Sequence, residues 1–251
     1  MPCTVRPPGH DAGVTELVLA PAKLTLSLRI TGVRADGYHL IDAEMVDLDL
    51  ADELEIRPAS TTVVDYVSDD GRAFAVDPDA DLVRRALALA GRTAQVRVHK
   101  VIPAGAGLGG GSSDAAAVLR WCGFDDVEAS AAVGADVPFC LVGGRARVRG
   151  IGELVERLEP VATTLTLLTP PFGCATPAVY RAWDAMGGPT GEAGNDLEPA
   201  ALEVEPRLGR WRDELAEATG QRPRLAGSGS TWFVEGAHAG PGRLVVRTRA
   251  R

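Results

Sequence analysis

The sequence predicts an α+β fold with two lobes, and three observations lead to this prediction. Apolar and polar residues alternate along the early part of the chain, an alanine-rich helical segment follows a strand near the middle, and strand-like and helical segments then recur. The pattern resets near residue 150, which predicts domains over residues 1–150 and 151–251. A chain of 251 residues with 45% hydrophobic and 24% charged content can bury a large core, and this composition excludes a disordered chain.

The early part of the chain predicts strands. Residues 16–31 alternate with a period of two, but Pro21 interrupts the run and predicts a bulge or two short strands there. The Asp-Gly pair at 36–37 predicts a turn. Residues 44–56 alternate again, which predicts a further pair of strands.

The middle of the chain predicts a helix, a strand and a second helix. Residues 81–90 have helical spacing, and residues 95–102 alternate as a strand. Residues 103–123 begin as a glycine-rich loop and continue as an alanine-rich helix. We place the start of that helix at Ser112 or Ser113, because serine is a favoured N-cap residue.

The last part of the chain predicts further strands and helices. Residues 154–168 have strand character, residues 177–186 and 198–219 have helical character, and residues 243–249 alternate as a final strand. The stretch 186–196 is rich in glycine and polar residues, which predicts a surface loop.

Charge and cysteine content limit the classes of partner and compartment. The 26 Lys and Arg residues against 34 Asp and Glu residues give a net charge of −8, which argues against nucleic acid or an anionic membrane as the main partner. The four cysteines form no C-x-x-C pair, and residues 1–12, which we predict to be loosely ordered, contain no apolar signal core. No apolar stretch approaches the roughly 20 residues that span a bilayer. We therefore predict a cytoplasmic protein, and the net charge does not exclude a small anionic ligand held by a local cluster of donors.

The glycine-rich loop is the strongest functional signal. Glycine takes positive φ readily, so backbone N–H groups of such a loop can converge on one anion, and the start of the following helix adds further N–H groups and its dipole. A flexible surface loop is the competing interpretation, and no G-K-[ST] follows to make a Walker loop. We predict a phosphate-binding loop made of Pro103, Ala104, Gly105, Ala106, Gly107, Leu108, Gly109, Gly110, Gly111, Ser112 and Ser113.

The loop sequence PAGAGLGGGSSDAAA (103–117) resembles the second motif of the GHMP kinases. Four other stretches agree and occur in family order: APAKLTLSL (20–28), RADGYHLID (34–42), GADVPFCLVGG (134–144) and AGSGSTWFV (226–234). Among the GHMP kinases this set is most similar to the 4-diphosphocytidyl-2-C-methyl-D-erythritol kinase family, because RADGYH and GADVPF are not general to the superfamily. The resemblance covers nearly the whole chain.

This resemblance implies a two-lobe α+β fold with the active site in the cleft between the lobes. It implies transfer of a phosphoryl group from ATP to the 2-hydroxyl of 4-diphosphocytidyl-2-C-methyl-D-erythritol, in the non-mevalonate route to isoprenoid precursors. Asp136 matches the family's general base, and Lys23 matches its catalytic lysine, whose ammonium would lie between this acid and the transferred phosphoryl group. The positions that match family residues around the cytidine are Tyr38, His39, Thr176 and Tyr180. The resemblance implies that Tyr38 and His39 hold the cytosine by stacking and hydrogen bonds, and that Tyr180 closes a sandwich of two rings on the base.

Magnesium is expected as well, because phosphoryl transfer from ATP needs its charge neutralised. Ser112 and Ser113 are the candidates to contact the ion. Two residues depart from the family pattern: Thr25, in the predicted substrate site, and Asp81, near the nucleotide, each stand where the family has asparagine. These departures leave open a GHMP kinase with a different acceptor. A nucleotide-binding protein without turnover is a further alternative, which the presence of both catalytic positions disfavours.

Overall fold

The structure of the chain is a computed structural model, and it describes residues 13–249. Two β-sheets with helices packed on them confirm the predicted α+β class. Residues 1–12, with Cys3 and His10, lie outside the described residues, so the loose order predicted there stays a prediction. None of the helices within residues 13–249 is long and apolar enough to cross a membrane.

The first sheet has seven strands. They are β1 (Glu16–Val33), β2 (His39–Pro58), β3 (Val63–Ser68), β4 (Ala73–Phe74), β5 (Ala94–Lys100), β6 (Arg145–Gly150) and β7 (Leu154–Arg157). The strand order is β4-β3-β5-β2-β6-β7, with β1 paired antiparallel to β2. β7 extends this sheet past residue 150, where the sequence places the boundary between the lobes; the division into two domains stays a prediction.

Four helices accompany the first sheet. They are α1 (Leu82–Leu89), α2 (Gly110–Trp121), α3 (Val127–Ser130) and α4 (Val137–Val142). α2 packs between α1, α4 and β1, and its residues Ala115, Ala116 and Ala117 are fully buried. Small side chains let the helix approach its neighbours closely, which explains the alanine-rich sequence.

The second sheet has four strands in the order β11-β8-β10-β9. They are β8 (Thr164–Leu168), β9 (Arg224–Leu225), β10 (Trp232–Glu235) and β11 (Arg243–Arg247). Three helices belong to this part of the chain: α5 (Thr176–Ala185), α6 (Glu198–Val204) and α7 (Leu208–Thr219).

A hydrophobic cluster joins the two sheets and fixes the glycine-rich loop between them. Leu24 of β1, Ala106 and Leu108 of the loop, and Phe233 of β10 are almost completely buried in one cluster. The loop therefore has an apolar anchor in the core, although its backbone is rich in glycine. This observation contradicts the flexible surface loop that we considered as the competing interpretation.

Of three predicted elements, one is confirmed and two differ from the structure in their bounds. The bulge expected at Pro21 is confirmed, because the pairing register between β1 and β2 shifts between Pro21 and Lys23. Residues 44–56 belong to one long strand and not to a pair, since β6 and β5 pair with successive parts of β2. The single helix predicted over 198–219 is two helices, which Pro206 separates because proline cannot continue a helix.

The stretch 186–196 is only partly the surface loop that its composition predicts. Asn195 and Asp196 at its end are buried. Asp196 accepts hydrogen bonds from Arg29 Nη1 at 2.6 Å and from the Ile30 backbone N–H at 3.0 Å. Asn195 Nδ2 donates to the carbonyl of Leu225. Polar residues of this loop thus connect β1 of the first sheet with β9 of the second, and sequence composition cannot reveal such long-range partners.

Candidate active site

A cleft of about 1010 Å³ collects most of the predicted site residues. It is lined by β1, the start of β2, the glycine-rich loop, the turn before α4, and α5. Tyr38 and Ser113 are the two predicted site residues that do not line it. Those that do are Lys23, Thr25, His39, residues 103–112, Asp136, Thr176 and Tyr180.

The glycine-rich loop passes into α2 without a serine cap. The helix begins at Gly110, and its N-cap residue is Gly109 with φ of 66°. The predicted cap at Ser112 or Ser113 is therefore wrong. The Ser113 hydroxyl instead donates to the Pro21 carbonyl at 2.5 Å and holds α2 on β1. The N–H groups of the first helical turn remain available to an anion in the cleft.

Two glycines of the loop allow contacts that any side chain would prevent. A Cβ at Gly107 would lie 2.6 Å from the Ala226 carbonyl oxygen, and a Cβ at Gly109 would lie 2.6 Å from Lys23 Cγ. Both glycines have positive φ. The loop also accepts a hydrogen bond at the Ala106 carbonyl from the Thr231 N–H, at 3.1 Å. The motifs around residues 105–111 and 226–231 therefore form one tightly packed unit.

Lys23 and Asp136 form an ion pair in the cleft. Lys23 Nζ lies 3.1 Å from Asp136 Oδ2, and the lysine side chain is 6% exposed while the aspartate side chain is 33% exposed. Lys23 Nζ also donates to Thr25 Oγ1 at 3.2 Å, and the Lys23 backbone N–H donates to the Leu108 carbonyl at 3.0 Å. The ammonium is thus held beside the glycine-rich loop, and the carboxylate faces the open part of the cleft.

His39, Thr176 and Tyr180 lie together at one end of the cleft. The rings of His39 and Tyr180 are 4.7 Å apart with an angle of 38° between their planes. Thr176 Oγ1 lies 2.8 Å from Ser228 Oγ, which connects the start of α5 to the loop that precedes β10. Burial, with a smaller effect of the Asp136 charge, raises the pKa of Tyr180 to about 12, so its hydroxyl stays a hydrogen-bond donor at neutral pH.

Tyr38 is placed differently from the sequence prediction. It is 60% exposed in the turn before β2 and does not line the cleft. The two-ring sandwich expected from Tyr38 and Tyr180 is therefore not formed in the structure, in which the His39 ring contacts Tyr180 instead.

The other end of the cleft contains residues that the sequence did not single out. Tyr66 and Phe74 line it with ring centroids 5.7 Å apart, and the Tyr66 hydroxyl donates to Asp81 Oδ1 at 2.8 Å. Asp81 Oδ1 also caps α1 by accepting from the Val83 N–H at 2.9 Å. Asp81, which stands where the family has asparagine, therefore has a structural role as the cap of α1. An asparagine oxygen can cap a helix in the same way.

Lys100 is a second cation beside the loop, and its side chain is 14% exposed. Its Nζ contacts Asp52 and lies 2.7 Å from Asp114 Oδ2. Burial raises the pKa of Asp114 to about 7, although Lys100 opposes this rise. Lys100 stands inside an alternating strand sequence, so only the folded structure shows that it faces two carboxylates.

Comparison with known proteins shows which family this cleft belongs to. The model of the GHMP kinases N terminal domain matches residues 79–144. A protein from Paracoccus denitrificans (strain Pd 1222) named 4-diphosphocytidyl-2-C-methyl-D-erythritol kinase is 38% identical over 237 residues, which cover 85% of this chain and 84% of that protein. A protein of the same name from Pelotomaculum thermopropionicum is 37% identical over 250 residues, with coverage of 86% and 87%.

Solved structures show the same relationship at the level of the fold. A crystal structure of 4-(cytidine 5'-diphospho)-2C-methyl-D-erythritol kinase superposes with a TM-score of 0.73 at 29% identity, and the match covers 93% of this chain and 99% of that one. A homoserine kinase from Cytophaga hutchinsonii superposes with a TM-score of 0.63 at 18% identity, with coverage of 97% of both chains, which shows a shared fold. With its motifs in family order along one cleft, the chain belongs to the 4-diphosphocytidyl-2-C-methyl-D-erythritol kinase family of the GHMP kinases.

Proposed function

We propose that this protein transfers the γ-phosphoryl group of ATP to the 2-hydroxyl of 4-diphosphocytidyl-2-C-methyl-D-erythritol. The observation that carries the proposal is the Lys23–Asp136 pair, 3.1 Å apart, in the same cleft as the glycine-rich loop. Relatives of the same name that match most of the chain support the choice of acceptor. A cytoplasmic location, expected from the sequence, stays a prediction.

In this mechanism Asp136 accepts the proton of the acceptor hydroxyl as the phosphoryl group is transferred. Its carboxylate is the more exposed partner of the pair, so a hydroxyl in the cleft can reach it. Lys23 stays beside the developing negative charge on the transferred group and stabilises it. Phosphoryl transfer has a loose transition state, so most of the catalysis is positioning and electrostatic stabilisation, which two fixed opposite charges can supply.

The phosphates of ATP would bind to the backbone of the glycine-rich loop and to the first turn of α2. Gly105, Gly107 and Gly109 have positive φ, a conformation that lets backbone N–H groups of the loop converge on one anion. The dipole of α2 also favours an anion at the N-terminus of the helix. Such a site needs few basic side chains, which is consistent with a net charge of −8. The nucleoside of ATP would then lie towards Tyr66 and Phe74, and the acceptor towards His39 and Tyr180.

The residues of the cleft also fit a Mg²⁺ ion that ATP brings with it. Magnesium keeps several waters and usually binds substrate phosphates with only one or two protein oxygens. Within residues 13–249 no three His, Cys, Asp or Glu side chains are grouped to hold a metal, so the phosphates would supply most ligands. The Ser112 hydroxyl lines the cleft and would contact the ion, whereas the Ser113 hydroxyl is bonded to the Pro21 carbonyl. When bound, Mg²⁺ neutralises phosphate charge.

A panel of acceptors tests this proposal. The enzyme would be incubated with ATP and Mg²⁺ and with the cytidyl substrate, homoserine, mevalonate or no acceptor, and ADP and the phosphorylated product would be measured. We expect a product only with the cytidyl substrate. Phosphorylation of homoserine or mevalonate instead would favour the kinase with a different acceptor, and ATP binding without a product from any acceptor would favour the protein without turnover.

A further inference from the structure

Three side chains on one face of α5 contact the His39 side chain. Tyr180, Trp183 and Asp184 have the i, i+3, i+4 spacing that places side chains on the same face of a helix. His39 Nε2 lies 2.7 Å from Asp184 Oδ1, and the edge of the Trp183 ring meets the imidazole at a centroid distance of 5.5 Å. With Tyr180 on its face, the imidazole has a fixed position, and its side chain is only 10% exposed.

The hydrogen bond to Asp184 also decides which imidazole nitrogen carries the proton. An ionised carboxylate can only accept, so the contact requires an N–H at His39 Nε2. In the neutral ring Nδ1 is then an acceptor with a free lone pair. Among residues 13–249 the structure gives Nδ1 no hydrogen-bond partner, and His39 lines the cleft. A ligand with an N–H group in a suitable position could therefore bind there.

We propose that Asp184 is a positioning residue that sets the base specificity of the acceptor site through His39. Cytosine carries an exocyclic amino group, which can donate to Nδ1, whereas uracil carries a carbonyl oxygen at the same position and would meet the lone pair unfavourably. The inference rests on the proposed function, because it assumes that the pyrimidine of the acceptor binds at this end of the cleft. Asp184 does not line the cleft, so it would influence the choice of substrate only through His39.

If Asp184 only stabilised the fold, its replacement would change the stability of the protein and not its preference for one base. The Asp184 side chain is 49% exposed, so it does not complete the core, and a single hydrogen bond to this carboxylate contributes only modestly to stability. The inference therefore concerns two properties: the preference for cytosine over uracil, and which nitrogen of His39 carries the proton. A general loss of packing would not be expected to change either one selectively. Asp213 offers a matched control, since it is an exposed aspartate on α7 whose ion-pair partner among residues 13–249 is its neighbour Arg212.

The first experiment uses the free enzyme and does not depend on turnover. Nitrogen-15 NMR at about pH 8.5, where an ordinary imidazole is neutral, reports the tautomer of each histidine, and the signal of His39 is identified by its loss in His39→Gln. We expect the Nε2–H tautomer in the wild-type enzyme and a larger Nδ1–H population in Asp184→Ala. An Nδ1–H tautomer in the wild type, or equal populations in the two proteins, would overturn the inference.

The second experiment measures selectivity by binding. Isothermal titration would compare the cytidyl substrate with its uridyl counterpart in the wild type, Asp184→Ala and Asp213→Ala, without nucleotide. We expect the preference for cytidine to fall about ten-fold in Asp184→Ala, as for loss of one oriented hydrogen bond, and to persist in Asp213→Ala. An unchanged preference in Asp184→Ala, or no preference in the wild type, overturns the inference. Failure of the proposed function appears separately, as absence of phosphorylated product in the acceptor panel.

Discussion

The Lys23 ammonium lies 3.1 Å from the Asp136 carboxylate, and this contact joins β1 to the start of α4 inside the cleft. Thr25, one of the two departures from the family pattern, supplies a second oxygen to the same ammonium at 3.2 Å. A hydroxyl therefore serves to orient the lysine at a position where an amide is usual. Contact of Thr25 with the substrate stays a prediction, but its contact with Lys23 gives the substitution a physical reason.

Replacing Asp136 by asparagine should remove turnover and keep ATP binding. The variant has the same shape but cannot accept the hydroxyl proton, so we expect kcat to fall on the order of 10² to 10⁴. Steady-state kinetics measures the loss, and calorimetry with ATP checks that the glycine-rich loop still binds. Asp213→Asn is the control and should match the wild type. A kcat for Asp136→Asn close to the wild-type value would show that Asp136 is not the base.

Adding one methyl group at Gly109 should weaken nucleotide binding strongly. The new Cβ would lie 2.6 Å from Lys23 Cγ at a residue with φ of 66°, so the loop or the lysine must move. Gly91→Ala is a matched control, because Gly91 also has positive φ, of 61°, but no atom of the described residues lies within 4 Å of its Cβ position. Calorimetric titration with ATP should show loss of affinity in Gly109→Ala alone. Equal affinities in both variants would mean that the phosphates bind elsewhere.

Truncating Tyr38 should raise KM for the cytidyl substrate and leave KM for ATP nearly constant. A base stacked on an aromatic ring gains roughly 1–3 kcal/mol, so we expect a rise of about five- to a hundred-fold in Tyr38→Ala if the exposed ring turns towards the ligand. The structure places Tyr38 outside the cleft lining, which makes this measurement informative. An unchanged KM would show that the Tyr38 ring does not contact the base.

The stability of the protein relative to Asp114→Asn should fall as the pH rises from about 4 to about 7. Burial raises the pKa of Asp114 from 3.8 to about 7, so in this range the folded protein holds a proton that the unfolded chain has released. The folded state binds more protons there, and its free energy of unfolding must decrease with pH, whereas asparagine does not titrate. Urea unfolding at several pH values gives the difference between the two proteins. A constant difference would exclude the raised pKa.

Much of the fold could be predicted from local patterns. The alternation in residues 95–102 and the helical spacing in 81–90 correspond to β5 and α1, since both signals depend on neighbours in the chain. The errors occur where distant partners decide the structure. Ser113 does not cap α2, because its hydroxyl donates to the Pro21 carbonyl of β1 instead, and Asp196 is buried because β1 supplies its donors.

The site could be predicted as far as motifs extend, and not beyond. Lys23 and Asp136 are far apart in sequence, and their resemblance to family positions predicted a contact that the structure contains. Asp184 and Lys100 belong to no recognised motif, and their importance depends on distances to His39 and to Asp114 that sequence spacing does not determine.

The central claim is that the Lys23–Asp136 pair directs a phosphoryl group from ATP to the 2-hydroxyl of the cytidyl substrate. The most direct test is a phosphorus-31 NMR time course with ATP, Mg²⁺ and 4-diphosphocytidyl-2-C-methyl-D-erythritol, run in parallel with the wild type and Asp136→Asn. We predict a new phosphomonoester signal that grows with ADP in the wild type and is almost absent in the variant. ADP formation without the phosphomonoester, or equal growth of that signal in both proteins, would contradict the claim.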